Sequence, residues 1–433
     1  MNKQDNMENM IFSGCDTVEL AKKYGTPLYV VSEDIIRERC MKIKDVFLNK
    51  YPNTMAAYAS KAFLTMAMCK IIENEGLNLD VVSGGELYTA IKAGFPMGRI
   101  IFHGNNKSWD ELLLAVEHNV GRIIVDNLYE LEMLEEITSR QNKDINILFR
   151  VAPGIGGNTH DYISTGQKDS KFGIPLDPSV IKDIVNRTIN SNNIRLLGFH
   201  FHLGSQLFEN QIYVNAIEII TKLMNYLKEE LDFKTLELNV GGGFGIGYTD
   251  KDTPKPIEYF TDIIMETVKL QCDKYKMPIP TIIIEPGRWI IAEAGITLYT
   301  IGVIKEIPGI RTYASIDGGL PDNPRPALYQ AEYDAVVANK INQKADKVVT
   351  IAGKCCETGD ILIWDLKTPD LEPGDILAVL NTGAYNFSMA SNYNRLPRPA
   401  VVLVSNGSSE IIVERQTYDD LLRGEKIPSY LRG

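Results

Sequence analysis

The chain is short of the features that would place it in a membrane, on a nucleic acid or in an oxidising compartment. No apolar run reaches the roughly 20 residues that a membrane span requires. The opening stretch "MNKQDNMENMIF" is polar where a secretory leader would be apolar. Basic residues are outnumbered, 45 against 56 acidic, for a formal net charge of -11. Nucleic acid and anionic membrane both demand clustered positive charge, so neither is expected as the main partner. The six cysteines (Cys15, Cys40, Cys69, Cys272, Cys355 and Cys356) form no CxxC pair. That spacing gives neither a disulfide framework nor a zinc site. There is no low-complexity linker and no long internal repeat. These absences leave a reduced, cytoplasmic chain of enzyme size.

At 433 residues the chain exceeds one small core, and two domains are expected. From residue 56 to 287, short apolar runs alternate with amphipathic stretches. The runs are 56–62, 77–83, 99–105, 122–127, 145–153, 196–204, 235–243 and 281–287. Strand alternating with helix predicts a parallel sheet, and eight such units predict a closed (β/α)8 TIM-type barrel over residues 33–289. Beyond residue 290 the pattern changes to β-branched alternation with turn signals, as in "KVVTIAGKCC" and "PAVVLVSNGSSEIIVER". This predicts a second, all-β domain of sandwich or barrel-like form over 290–433, joined by about residues 10–32. "GTPLYVVS" (25–32) reads either as one of its strands or as the lead-in to the barrel.

Polar residues gather at the carboxyl ends of the barrel runs: Lys61, Ser83, His103 with Asn105, Arg150, His202, the glycines at 241–243 and Glu285. That end of such a barrel carries the active site. Lys61 has two readings, an amine snorkelling to water or one bound covalently to a cofactor aldehyde. "NVGGGFGIGY" reads as a flexible turn or as backbone N–H groups surrounding a phosphate; it lacks the GxGxxG spacing of a dinucleotide site. Lysine and phosphate cradle in one barrel mouth together indicate pyridoxal 5'-phosphate. Glu285 would then meet the ring nitrogen, or pair with Arg288, or both. In "GFHFHLGSQ", His200 and His202 share one side of a strand. A metal pair is one reading, with His103, His118 and His160 as the other histidines. A flat imidazole at His202 against the cofactor ring, with Ser205 at the phosphate and His200 structural, is the favoured one, and no metal is expected.

The motifs "YASKAFLT", "DVVSGGELYTA", "FHGNNKS", "HLGSQ", "NVGGGFGIGY" and "EPGR" resemble those of the fold-type III pyridoxal 5'-phosphate-dependent decarboxylases. "ISTGQKDSKFG", "DNPRPALY", "GKCCETGD" and "NTGAYNFSMASNYNRLPRP" narrow the resemblance to the diaminopimelate decarboxylase family, over roughly residues 12 to 425. The resemblance implies that Lys61 holds the cofactor, with Asp80 and Glu86 nearby. His202 would cover the ring, Glu285 would face its nitrogen, and Ser205, Gly242, Gly243, Gly287, Arg288 and Tyr385 would complete the cofactor site. Arg288, Arg325 and Tyr329 would bind the substrate's distal carboxylate and Glu357 its distal ammonium, with Tyr385 also among the substrate-binding residues. Cys356 would be a proton donor. Family members are homodimers with sites completed across the interface, and there Cys356 and Glu357 would come from the partner subunit.

The bland reading of Arg325 is a turn stiffened by two prolines, and Tyr329 could be core. Departures from the family are Trp289 after "EPGR" and Leu320 in "DGGL"; the first ten residues match nothing. Three rival functions remain in view. An ornithine or arginine decarboxylase would have no use for paired arginines toward a distal carboxylate. An alanine-racemase-like isomerase would place arginine, not Glu285, at the ring nitrogen. A non-catalytic binding homologue would have no need of Lys61, Cys356 and Glu357 together.

Overall fold

The computed structural model describes residues 9–155 and 170–432. His160 and most of "ISTGQKDSKFG" lie outside the described residues. Eight parallel strands form the larger unit: Thr54–Ala59, Asn78–Val81, Ile100–Phe102, Arg122–Val125, Ile145–Ala152, Ile194–His200, Glu237–Asn239 and Thr281–Ile284. They pair in chain order, and the eighth pairs with the first through Ile283 and Met55, which closes the barrel. These strands are buried on both faces, hence their continuous apolar runs. Ala57, Ile101, Ile124, Leu148, Leu197 and Ile283, from six different strands, meet in the barrel interior.

The helices begin where the strands end. Ser83, Ser108 and Asn127 each accept a hydrogen bond from a backbone N–H three residues on, capping Gly84–Lys92, Trp109–Glu117 and Leu128–Gln141. Ser83, read above as one of the ring of polar residues, is therefore engaged in a local cap. Glu111 extends the pattern: its carboxylate accepts from Ser108 N and from Gly84 N at 2.6 Å, tying one helix start to the next.

The second unit comprises the described residues up to Ile36, Tyr248–Asp250 and residues 291–432. Leu28–Ser32 is one of its inner strands. It pairs antiparallel with Gly295–Ile307 and parallel with Ala400–Ser405. The helix Thr17–Tyr24, N-capped by Asp16, buries Val18, Leu20 and Ala21 against Leu28, Val30, Leu298 and Val402. Strands that went unread in the sequence include Ala335–Val337 and Ile361–Thr368. The second of these exposes Trp364 and carries Asp365 at φ 52°, which breaks the alternation a strand would show. Among the described residues no helix is long and apolar enough to cross a membrane.

Candidate active site

Lys61 lies in a single 3-10 turn, Ser60–Ala62, directly after the first barrel strand. It is half-buried, between the buried Ser60 and Ala62. Among the described residues its Nζ has no hydrogen-bond or ion-pair partner, although its charge is felt by Asp80, Glu86 and His202. Glu86 is held in place, accepting from Ser60 Oγ at 2.6 Å and from Val82 N at 2.8 Å. The turn that carries the lysine is thus pinned while the amine is left available.

Glu285 directly follows the eighth strand and is the centre of a buried polar cluster. Its Oε1 lies 2.7 Å from His103 Nε2 and accepts from Asn239 Nδ2 at 2.6 Å, while His200 Nε2 is 3.4 Å from Oε2. Arg288 donates to Ser205 Oγ, at 3.3 and 3.2 Å, so the alternative reading of Glu285 as the partner of Arg288 gives way to a pairing with histidines. The physical reason is convergence: His200 and Asn239 end two strands, His103 and Glu285 directly follow two others, and the four meet once the barrel closes. His103, His200 and Glu285 present three donor atoms within 4.8 Å of one another, but His103 and Glu285 are already bonded to each other, and His202 is not among them.

Two carboxyls in this cluster are driven apart. Burial lifts Asp80 to about 7, with Glu285 adding to the lift and His103 and Lys61 offsetting part of it. Burial also pushes Glu285 upward, but the facing imidazoles, His103 first and then His200, outweigh it and hold Glu285 well below the usual carboxylate range. Burial lowers His200 to about 3 and also holds His202 well below the imidazole range, so both rings are neutral near pH 7. One acid keeps its proton near neutrality while its neighbour stays ionised, a division of labour typical of catalytic sites.

A stability consequence follows for Asp80. A carboxyl raised on folding holds a proton the unfolded chain has released, so its favourable contribution is complete at low pH and is lost as pH rises through about 7. Asp80→Asn removes that dependence. In protein stripped of cofactor, the melting temperature of the variant relative to the parent should climb as pH moves from the acid to the alkaline side of 7. A pH-independent difference would contradict the assignment.

The glycine run after the seventh strand is dictated by close approach. A Cβ on Gly242 would sit 2.0 Å from the Glu285 carbonyl oxygen, and one on Gly243, at φ 110°, would sit 2.3 Å from the Gly204 carbonyl. Tyr213 fixes the run from outside by donating to Gly242 O at 2.7 Å. Gly287 is crowded likewise, 2.9 Å from Ala59 Cβ. These residues fit pyridoxal 5'-phosphate: an unengaged amine, an ionised carboxylate at the strand end, and Ser205 with Arg288 as hydrogen-bond donors close to the glycine run. Trp289, a departure from the family, is buried beneath the Arg39 guanidinium at 4.7 Å.

In the second unit Arg325 opens the short helix Arg325–Tyr329 and is buried, whereas Tyr329 is half-buried. Tyr385 has φ 64°, a left-handed conformation that a non-glycine residue adopts at some cost. Cys356 and Glu357 are exposed. Their loop is shaped by buried Asp360, whose carboxylate accepts from Cys355 N at 2.8 Å and Leu320 N at 2.7 Å. Burial, then Asp360, push the Cys355 thiol up to about 12, leaving it an inert neighbour. Cys356 N donates to Asn394 Oδ1 at 2.8 Å.

Sequence reasoning missed Asn239, Lys107 and Glu130. Asn239 could have been found as the polar residue ending "TLELN". Lys107 lies inside the "FHGNNKS" motif, but nothing local reveals that it is buried.

Residues 33–292 match the family model for the pyridoxal-dependent decarboxylase pyridoxal-binding domain. Diaminopimelate decarboxylase of Bacillus subtilis (strain 168) is 50% identical over 421 residues, covering 97% of this chain and 96% of the relative. That of Bacillus methanolicus is 53% identical over 403 residues, covering 93% of each. The crystal structure of diaminopimelate decarboxylase from M. jannaschii superimposes with a TM-score of 0.92 at 34% identity, covering 98% of both chains. With pyridoxal 5'-phosphate as its cofactor, this chain belongs to the pyridoxal-dependent decarboxylases, in the diaminopimelate decarboxylase family.

Proposed function

We propose that the chain decarboxylates meso-diaminopimelate to L-lysine and CO2, the last step of lysine biosynthesis. Arg325 carries the choice of substrate. It is a buried guanidinium, and among the described residues no carboxylate is paired with it. A buried charge in want of an anion is a receptor for one, and the planar fork of arginine matches a carboxylate at two points. Diaminopimelate has a second carboxylate that ornithine and arginine lack. Leaving such a charge unpaired costs about 3–5 kcal/mol, enough to decide between them.

Bound in the barrel mouth, pyridoxal 5'-phosphate supplies the sink for the electron pair left behind when the carboxylate departs. The Lys61 amine would hold the cofactor covalently. Glu285, ionised, would offer its negative charge to the ring nitrogen. His202, neutral, would lie against the ring. Ser205, Gly242, Gly243, Gly287 and Tyr385 frame the phosphate side, while Arg288, Arg325 and Tyr329 orient the distal carboxylate. Glu357 takes the distal ammonium, and Cys356 Sγ delivers a proton to the carbon that has lost CO2. Exposure of Cys356 and Glu357 is compatible with their serving a second copy of the chain in a homodimer. The division into a barrel domain at 33–289 and an all-β domain from 290 with about 10–32 belongs to the same proposal.

The test is a product assay with added cofactor on meso-diaminopimelate, ornithine, lysine and arginine. Lysine and CO2 are expected from the first, with negligible turnover of the others. Preferential release of CO2 from ornithine or arginine, or racemisation without CO2, would overturn the reading.

A further inference from the structure

Arg325 is held by aromatic rings. Its guanidinium carbon lies 5.2 Å from the ring centre of Tyr248 and 5.9 Å from those of Tyr333 and Tyr385. One terminal nitrogen donates to the Tyr248 hydroxyl at 3.0 Å and, at the limit, to Ala384 O at 3.5 Å. Tyr248 and Tyr333 brace each other edge to face, with centroids 5.2 Å apart and planes at 81°. Both are buried, and they come from separate segments: Tyr248 closes the glycine-rich run and Tyr333 follows the turn after the Arg325 helix. Burial alone would lower the pKa of a guanidinium. Here the tyrosines outweigh it and move Arg325 in the opposite direction.

A buried arginine is ordinarily stabilised by a resident carboxylate, but such a partner would occupy the fork that a ligand needs. Ring faces offer another solution: they attract the cation through their quadrupole and leave edge N–H groups free to donate. We infer that Tyr248 and Tyr333 are specificity-positioning residues, which with Tyr385 keep Arg325 charged, buried and oriented without giving it a permanent counter-ion. This deepens the proposed function and rests on Arg325 receiving the distal carboxylate.

The experiment compares two competitive inhibitors of meso-diaminopimelate turnover by the cofactor-loaded enzyme. L-Lysine, the product, keeps the distal carboxylate; cadaverine is the same diamine without it. The ratio of their inhibition constants isolates what the carboxylate contributes. Tyr248→Leu and Tyr333→Leu are each expected to shrink that ratio about tenfold, as loss of a desolvated cation–π contact allows, while cadaverine binds as in the parent. Tyr248→Phe retains the ring and loses the hydroxyl; it should shrink the ratio by a few-fold and fold even if a leucine variant does not. A merely structural role would weaken both inhibitors together and leave the ratio unchanged, and that result overturns the inference. Arg325→Gln separates the two levels. If it collapses the ratio and the tyrosine variants do not, the cage is wrong and the arginine's role stands. If Arg325→Gln leaves the ratio intact, both are wrong.

Discussion

Lys61→Ala is expected to abolish turnover of meso-diaminopimelate, and with it the covalent label that borohydride reduction fixes between protein and cofactor. The amine leaves a rigid turn directly after a buried strand, and among the described residues it has no hydrogen-bond or ion-pair partner. Its neighbours are arranged to hold the turn: Ser60 bonds Glu86, and Glu86 bonds the next strand's end. Alanine removes the nucleophile while leaving this scaffold intact, so the variant should fold and melt close to the parent. Peptide mapping of the reduced parent should find the label on Lys61 alone. The same variant tests the homodimer. If Cys356 serves the partner's site, mixing Lys61→Ala with an inactive Cys356→Ala and reassociating them should restore about a quarter of parental activity. Half of the dimers are then mixed, and each mixed dimer holds one intact site. Full retained activity in Lys61→Ala, or a label elsewhere, would remove the foundation of the proposed chemistry.

The barrel was legible because its physics is local. A parallel strand buried on both faces must be an unbroken apolar run, and a chain leaving such a strand toward solvent must become polar. Lys61, His103, His202 and Glu285 could therefore be placed at strand ends from order along the chain. What joins them was not legible. For Glu285 the one protein partner the sequence offered beside the ring nitrogen was Arg288, three residues away, because proximity in sequence is the only proximity a sequence displays. In the folded chain it meets His103, 182 residues distant, and Asn239, 46 distant. Leu28–Ser32 was read as either a strand of the second domain or the lead-in to the barrel, and its partners were hidden for the same reason. Its pattern announces a strand, but its partners at Gly295–Ile307 and Ala400–Ser405 lie hundreds of residues later. The tyrosines around Arg325 come from loops without periodicity, and no spacing rule could collect them. Cys356 and Glu357 enter the proposed site through family resemblance alone, since their loop is ordered by Asp360 and not by any pattern in their own sequence.

Lys107→Met should destabilise the protein by about 3–5 kcal/mol, the cost of leaving one half of a buried ion pair behind. Lys107 Nζ donates to Gly104 O at 2.8 Å, Ile124 O at 2.7 Å and Glu130 Oε1 at 2.7 Å, which uses all three of its protons. Both side chains are 1% exposed. Burial lowers the lysine and raises the glutamate, each toward its neutral form, so each ion depends on the other to remain charged. Glu130 is committed further, accepting from Asp126 N at 3.1 Å. Methionine fills much of the lysine's volume but strands the Glu130 carboxylate and two carbonyls in an apolar setting. A loss of this size is a large share of the 5–15 kcal/mol that typically separates folded from unfolded states. Because Gly104 adjoins His103, the variant should also loosen the loop that carries the Glu285 partner, so the loaded enzyme should turn over more slowly even below its melting point. Denaturant unfolding of a double-mutant cycle decides the matter. Lys107→Met combined with Glu130→Gln should cost clearly less than the sum of the single changes, because the second substitution removes the stranded charge. Additive costs, or a loss under about 1 kcal/mol for Lys107→Met, would show that the pair is dispensable and that the loop is held by something else.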